Sequence, residues 1–226
     1  MSLRLLDLFC GRWGWSRAFA ARNWECDGID LVSSPLPAAN AHFTCADVLD
    51  LTVAIVKRFE PDFIVASPPC DEFACFQMKH FRKDPPYPMK GIELFNHTRA
   101  LCELSGIPHV IENVRAAQEF VGKADGHAGS FYLWGNAVPP ILPRVYKAKW
   151  TANVRHGRTA PGNFAPELNL PKSERKPLLA VIPLELANCV ADYAERILEQ
   201  KARARSTEAV SLDRPGKSDS LPGGTS

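Results

Sequence analysis

Short apolar runs of strand length recur through the first half of the chain, and stretches with helical periodicity lie between them. The runs fall near Arg4 to Phe9, Glu25 to Asp30, His42 to Ala46, Asp62 to Ala66 and His109 to Glu112. Helices are expected near Trp15 to Arg22, Leu51 to Phe59 and Gly91 to Leu104, the last ending at Ser105-Gly106, where glycine can cap it. This alternation is the arrangement of βαβ units, so the predicted fold class is α/β with a doubly wound, mostly parallel sheet. A last helix, Leu184 to Gln200, carries Leu186, Val190, Tyr193, Ile197 and Leu198 at helical spacing, a face explained by core packing. Beyond it, Lys201 to Ser226 is rich in Ser, Gly, Pro and charge and is expected to be disordered. With 46% hydrophobic and 23% charged residues, 226 residues suit one substantial core, read as a single domain over 1–200 with a tail over 201–226.

No stretch approaches the roughly 20 apolar residues of a membrane span. The start, Met1-Ser2-Leu3-Arg4, leads directly into a strand-like run and does not read as a signal peptide. The expected location is the cytoplasm, with no membrane partner. Seven cysteines (Cys10, Cys26, Cys45, Cys70, Cys75, Cys102 and Cys189) are scattered through the chain without a C-x-x-C or a zinc-finger pattern. Neither a disulfide framework nor a metal site is indicated.

In an open α/β sheet, ligands bind outside the carboxyl ends of the strands. The first such turn reads Asp7-Leu8-Phe9-Cys10-Gly11-Arg12-Trp13-Gly14-Trp15-Ser16, where Gly11 and Gly14 permit close backbone approach to a ligand. An ordinary turn would look the same. The second run ends in Gly28-Ile29-Asp30, whose acid can accept hydrogen bonds from both hydroxyls of a ribose. The third leads to Asp47, which can accept from an adenine amino group. Polar tips at three successive strand ends fit an adenosine-containing cofactor with no dedicated phosphate cradle. The fourth run delivers Ser67-Pro68-Pro69-Cys70, where two prolines fix φ and direct the chain along one path. A thiol held there can serve as a nucleophile, or it can be a small packed side chain. The fifth run delivers Glu112-Asn113-Val114, a candidate acid or hydrogen-bond donor.

Asp7-Leu8-Phe9-Cys10-Gly11, Pro68-Pro69-Cys70 and Glu112-Asn113-Val114, in this order on successive strand ends, resemble the cofactor, nucleophile and glutamate motifs of the cytosine-C5 DNA methyltransferases, above all their compact, phage-type members. The resemblance covers Met1 to about Arg115. It implies the Rossmann-like fold of S-adenosylmethionine-dependent methyltransferases with a small C-terminal extension. S-adenosyl-L-methionine is the implied cofactor, with Asp7, Phe9, Gly11, Gly14, Trp15, Asp30, Asp47 and Pro68 at its site. It also implies a catalytic set of Cys70, Glu112, Asn113 and Pro69, with methyl transfer to C5 of a cytosine flipped out of DNA. The implied location is the host cytoplasm if the chain is phage-encoded, and the implied role is protection of DNA from restriction. The arginine that grips the cytosine edge has its nearest candidate at Arg158, in Arg155-His156-Gly157-Arg158.

Phe76 to Lys90 carries four Lys or Arg and one Asp, and it resembles the loop that family members close over the flipped base. A second basic stretch, 141–176, has Arg144, Lys147, Lys149, Arg155, Arg158, Lys172, Arg175 and Lys176 against Glu167 and Glu174. Because the whole chain is only +2, any nucleic-acid face must be local. Residues 116–176 are read as a reduced DNA-recognition region, short for a separate domain, so specificity is expected to be short, weak or supplied by a partner protein. Trp134-Gly135-Asn136-Ala137-Val138-Pro139-Pro140 looks like the family's late cofactor-side motif but comes early. The favoured alternative is that Lys176 to Pro183 and the helix after it close the fold.

The chain departs from the family pattern at Trp13, where a small residue is usual, and at Asp71, where Gln usually follows the nucleophile. Three other functions remain open. Ser-Pro-Pro is also part of the pattern of enzymes that methylate exocyclic amino groups, N4 of cytosine or N6 of adenine. RNA could be the substrate. A catalytically silent DNA-binding or partner-regulating protein could retain the fold.

Overall fold

The computed structural model describes residues 2–77, 87–145 and 181–212. Its sheet has seven strands: β1 (Arg4–Leu8), β2 (Glu25–Asp30), β3 (Ala41–Cys45), β4 (Phe63–Ala66), β5 (His109–Asn113), β6 (Gly126–Ala128) and β7 (Phe131–Trp134). They lie in the order β3-β2-β1-β4-β5-β7-β6, with β1 to β5 parallel and β7 antiparallel to both its neighbours. This order, with one antiparallel strand inserted next to β5, is the Rossmann-like fold of the S-adenosylmethionine-dependent methyltransferase type. All five expected strands are present, with bounds shifted by no more than a residue or so. The β6–β7 hairpin was not foreseen. Its strands are only three and four residues long, and β6 reads Gly-His-Ala, a run with little strand propensity of its own.

The helices are α1 (Ser16–Ala20), α2 (Val53–Arg58), α3 (Asp71–Gln77), α4 (Met89–Ser105), α5 (Gln118–Val121) and α6 (Leu184–Leu212). On one face of the sheet Leu6, Leu8, Ile29, Ile64, Ala66 and Ile111 join Val56, Phe73, Phe95 and Cys102 in a buried cluster. On the other, Phe19 of α1 lies against Trp24 and Phe63, with ring centroids at 5.0 and 6.0 Å. Arg22, just past α1, ties this face to α6 through Asn188 (2.7 Å) and Asp192 (2.6 Å). Thr52 caps α2 by accepting from Ile55 N–H, and α4 ends at Gly106, whose φ of +73° is the left-handed cap expected there.

Residues Met1–Ala194 form one compact unit and Glu195–Ser226 a second. Within the second, α6 runs on past Gln200 to Leu212, so the first part of the segment expected to be disordered is helical. Lys201, Ala202, Arg203 and Ala204 are good helix formers, and Glu199–Arg203 adds an i,i+4 pair at 3.9 Å. Residues 213–226 lie outside the described ones. Among the described residues, no helix is long and apolar enough to cross a membrane.

Candidate active site at the carboxyl rim of the sheet

Parallel pairing sets Leu8 opposite both Ile29 and Ala66, and Ala66 opposite Ile111. The next residues along, Asp30, Phe9, Ser67 and Glu112, therefore leave the sheet side by side on one rim. At about 4.8 Å per strand, Asp30 and Glu112 stand roughly 14 Å apart along it.

The first turn is shaped by three residues in left-handed backbone, Phe9 (φ +61°), Gly11 (φ +48°) and Trp13 (φ +60°). Phe9 and Trp13 adopt a conformation costly for residues with a side chain, and such strain concentrates at ligand sites. Gly11 N–H donates to Asp30 Oδ2 at 2.9 Å and Val32 N–H to Oδ1 at 3.3 Å, fixing the acid at the lip of the turn. Ser34 Oγ donates to the Gly11 carbonyl at 2.6 Å, drawing the β2–β3 loop over it. Gly11, Arg12, Arg17, Asp30, Val32, Ser33, Ser34 and Pro35 line a cavity of about 660 Å³, within the roughly 300–1,000 Å³ of small-ligand sites. Asp47 caps the turn after β3, its Oδ1 accepting from Leu49 N–H at 3.0 Å.

Asp7 and Trp15 support this turn from inside. Asp7 is fully buried and its Oδ2 accepts from Ser16 Oγ at 2.6 Å, while Oδ1 is buried without a hydrogen-bond partner among the described residues. Burial pushes its pKa from 3.8 up to about 7, with the Ser16 hydrogen bonds opposing and the Asp30 charge assisting. Trp15 is buried and donates from Nε1 to Ser67 Oγ at 3.0 Å, stitching the first turn to the end of β4.

Packing accounts for Trp13, the departure from the expected glycine pattern, and for Gly14 beside it. Trp13 is 1% exposed; its ring stands over Gly28, where an added Cβ would collide with Trp13 Cζ3 and Cη2, and it meets Phe43 edge-on at 6.3 Å. The indole thus fills the core beneath β2 and does not line the cavity. Gly14 is needed against the chain itself, because a Cβ there would lie 2.7 Å from Ile182 N and 3.0 Å from Ile182 Cβ. Val181 to Pro183, just before α6, therefore lie close against the first turn, and Lys176 to Ala180 of the favoured alternative lie outside the described residues. The rival segment sits at the opposite rim: Asn136 Oδ1 accepts from His109 N–H at 2.9 Å, at the amino end of β5.

Pro68 is buried and Pro69 exposed. Asn113 Nδ2 donates to the Pro68 carbonyl at 3.0 Å, while its own Oδ1 accepts from Val114 N–H at 2.9 Å. This buried side chain bolts the Pro-Pro turn to the end of β5 and so brings the strands that carry Cys70 and Glu112 into one arrangement. Cys70 and Glu112 are both half-buried. The Cys70 carbonyl accepts from Ala74 N–H at 2.9 Å, which makes Cys70 the residue that opens α3, and Asp71 is exposed. Glu72 Oε2 accepts from Gly91 N–H at 2.8 Å, holding the start of α4 against the start of α3.

Burial also separates the cysteines. It pushes the thiols of Cys26 and Cys102 up to about 12 and that of Cys10 higher still, which keeps them protonated. Cys75 belongs to α3, Cys45 is exposed at the end of β3, and the half-buried Cys189 lies on α6. Among the described residues no cluster of His, Cys, Asp and Glu is arranged to hold a metal ion. Arg158, most of the basic stretch 141–176 and the centre of the 76–90 segment lie outside the described residues. The sequence reading missed Arg12, Arg17, Val32, Ser33 and Ser34 as cavity-lining residues. A loop with two prolines and no periodicity carries no local signal of what it will cover.

No protein-family model and no curated protein sequence matches the chain. Among solved structures it is similar to the Dnmt2 methyltransferase of S. pombe, with 21% identity and a TM-score of 0.38 over 54% of this chain and 37% of that one. It is also similar to the Entamoeba histolytica methyltransferase EhMeth (12%, TM-score 0.40, 62% and 54%) and to the antibiotic-resistance methyltransferase Kmr (16%, TM-score 0.27, 50% and 59%). The chain spans 37% of the length of the Dnmt2 protein. The fold assignment rests on strand order and register.

Proposed function

We propose that the chain is an S-adenosylmethionine-dependent methyltransferase that modifies C5 of cytosine in DNA through a covalent adduct on Cys70. The observation that carries this reading is the Asn113–Pro68 hydrogen bond, which joins the Pro-Pro-Cys turn to the glutamate strand on the same rim as the Asp30 cavity. The donor set fits the cofactor: a carboxylate held at the lip of a glycine turn for the ribose, a second acid at the end of β3, and a cavity of suitable volume. When bound, the cofactor supplies an electrophilic methyl group.

The protein's own residues prepare the acceptor. C5 of cytosine is too electron-poor to attack a sulfonium methyl at rest. Addition of the Cys70 thiolate to C6 places an enamine across C5 and C4, and C5 then becomes the nucleophile. Glu112, hydrogen-bonded or donating at N3, stabilises the charge that develops in the ring. After methyl transfer, loss of the C5 proton reforms the double bond and expels the Cys70 thiolate. The base must leave the duplex to reach Cys70, and specificity would come from residues 116–176 or from a partner protein. The amino-methylating alternative needs the Ser-Pro-Pro carbonyls for the target amine. It ranks lower because Cys70 stands where that pattern has an aromatic residue, and because amino methylation has no need of Glu112-Asn113.

Nucleoside mass spectrometry of unmodified plasmid incubated with the protein and S-adenosylmethionine tests the reading, with Cys70→Ala alongside. 5-Methylcytosine that disappears in the variant is the expected result. An N-methylated base that survives the substitution would move the chemistry to Ser67-Pro68-Pro69 and sink the role given to the thiol.

A further inference from the structure

We propose that Arg12 and Arg17 form the carboxylate-binding end of the cavity beside Asp30, so that the site selects a cofactor by its α-carboxylate; this rests on the sulfonium-cofactor reading above. Both arginines are exposed and line the same 660 Å³ cavity. Among the described residues neither guanidinium has a hydrogen-bond or ion-pair partner. The one carboxylate in the lining, Asp30, does not neutralise them. Its two oxygens are turned to the backbone N–H groups of Gly11 and Val32, which hold it where it is.

Two cations and one fixed anion leave the cavity with one positive charge in excess. Cations that share a cavity repel each other, and an anion placed between them relieves that cost. A guanidinium presents its donors in a planar fork that matches a carboxylate, and pairs of this kind are the stronger hydrogen bonds. The single charge of a carboxylate group suits the pair of guanidinium groups locally, whereas a phosphate dianion would also face Asp30. With the ribose at Asp30 and the exposed apolar Val32 (72%) beside it, the arginines are left for the amino-acid end of the ligand. Arg12 lies inside the first turn, between Gly11 and Trp13, and Arg17 lies on α1; by sequence each reads as an ordinary surface arginine.

The test is calorimetric titration of the full chain with S-adenosylhomocysteine and with its decarboxylated analogue, which keeps the ammonium and lacks only the carboxylate. Loss of one charge-assisted contact lowers affinity by about tenfold to a hundredfold. Wild-type protein is therefore expected to prefer S-adenosylhomocysteine by at least about tenfold. Arg12→Gln/Arg17→Gln should bring the two ligands to the same affinity, and Arg58→Gln, on α2 outside the cavity, should leave the preference intact. Equal binding of both ligands by wild type, or a preference that persists in the double variant, overturns the proposal. So does a double variant that keeps the preference and loses affinity for duplex DNA, which would assign the arginines to backbone phosphates. If wild type binds neither ligand, the cofactor reading itself fails and the proposal goes with it.

Discussion

Gly28→Ala tests whether Trp13 is a core residue. The added methyl would collide with Trp13 Cζ3 and Cη2 and lie 2.9 Å from Cys10 Sγ. Trp13 cannot swing away easily, since it is 1% exposed, held at φ +60° and packed on Phe43. Overpacking of this kind costs about 1–3 kcal/mol. Replacing glycine in a strand returns about 0.4–1 kcal/mol through the unfolded chain. A net loss of up to about 2.5 kcal/mol is therefore expected from urea denaturation. Trp13→Gly removes a large buried side chain, at about 3–5 kcal/mol, and relieves about 1–2 kcal/mol of left-handed backbone. In that background Gly28→Ala should become neutral or stabilising, so the double-mutant cycle should show a coupling of about 1–3 kcal/mol. Additive effects would mean that the indole does not sit over β2 and that the glycine departure at Trp13 is unexplained.

Asp7→Asn should change the pH dependence of stability. Between about pH 4 and 7 the folded protein keeps a proton on Asp7 that the unfolded chain has released. Stability therefore falls as pH rises through that window, by up to about 4 kcal/mol, and is level above it. The variant should flatten this part of the curve in urea melts at pH 5, 6, 7 and 8, and parallel curves for the two proteins would refute the buried, protonated carboxyl. Asn113→Ala leaves the Pro68 carbonyl without its buried donor, with an expected cost of about 1–3 kcal/mol and slower adduct formation at Cys70. Trapping on DNA carrying 5-fluorocytosine reads this directly, and unchanged adduct yield and rate would show that the bolt between the two strands does not position the thiol. Gly14→Ala should displace the segment at Ile182 and lower the melting temperature, whereas an unchanged melt would mean that this segment does not close over the first turn.

Much of the architecture is written in local periodicity. The five parallel strands and the helices between them follow from apolar spacing, and Gly106 marks the end of α4 because only a residue free of Cβ strain takes its conformation cheaply. Asp30 and Glu112 were legible because they lie at the carboxyl ends of runs that had to be strands, and Cys70 because a Pro-Pro turn follows such a run directly; the carboxyl ends of parallel strands share one rim. The β6–β7 hairpin, by contrast, owes its form to pairing with β5. The end of α6 was obscured because a charged, polar stretch reads alike as helix or as coil until its i,i+4 neighbours are fixed. The same limit holds at the site. That Trp13 turns inward over Gly28, that Asn113 gives its amide to Pro68, and that Arg12, Arg17 and Asp30 line one cavity are juxtapositions of residues far apart in the chain or turned by backbone geometry. Composition and periodicity carry no information about such meetings, because they are set by how strands register and loops fold back once the core has formed.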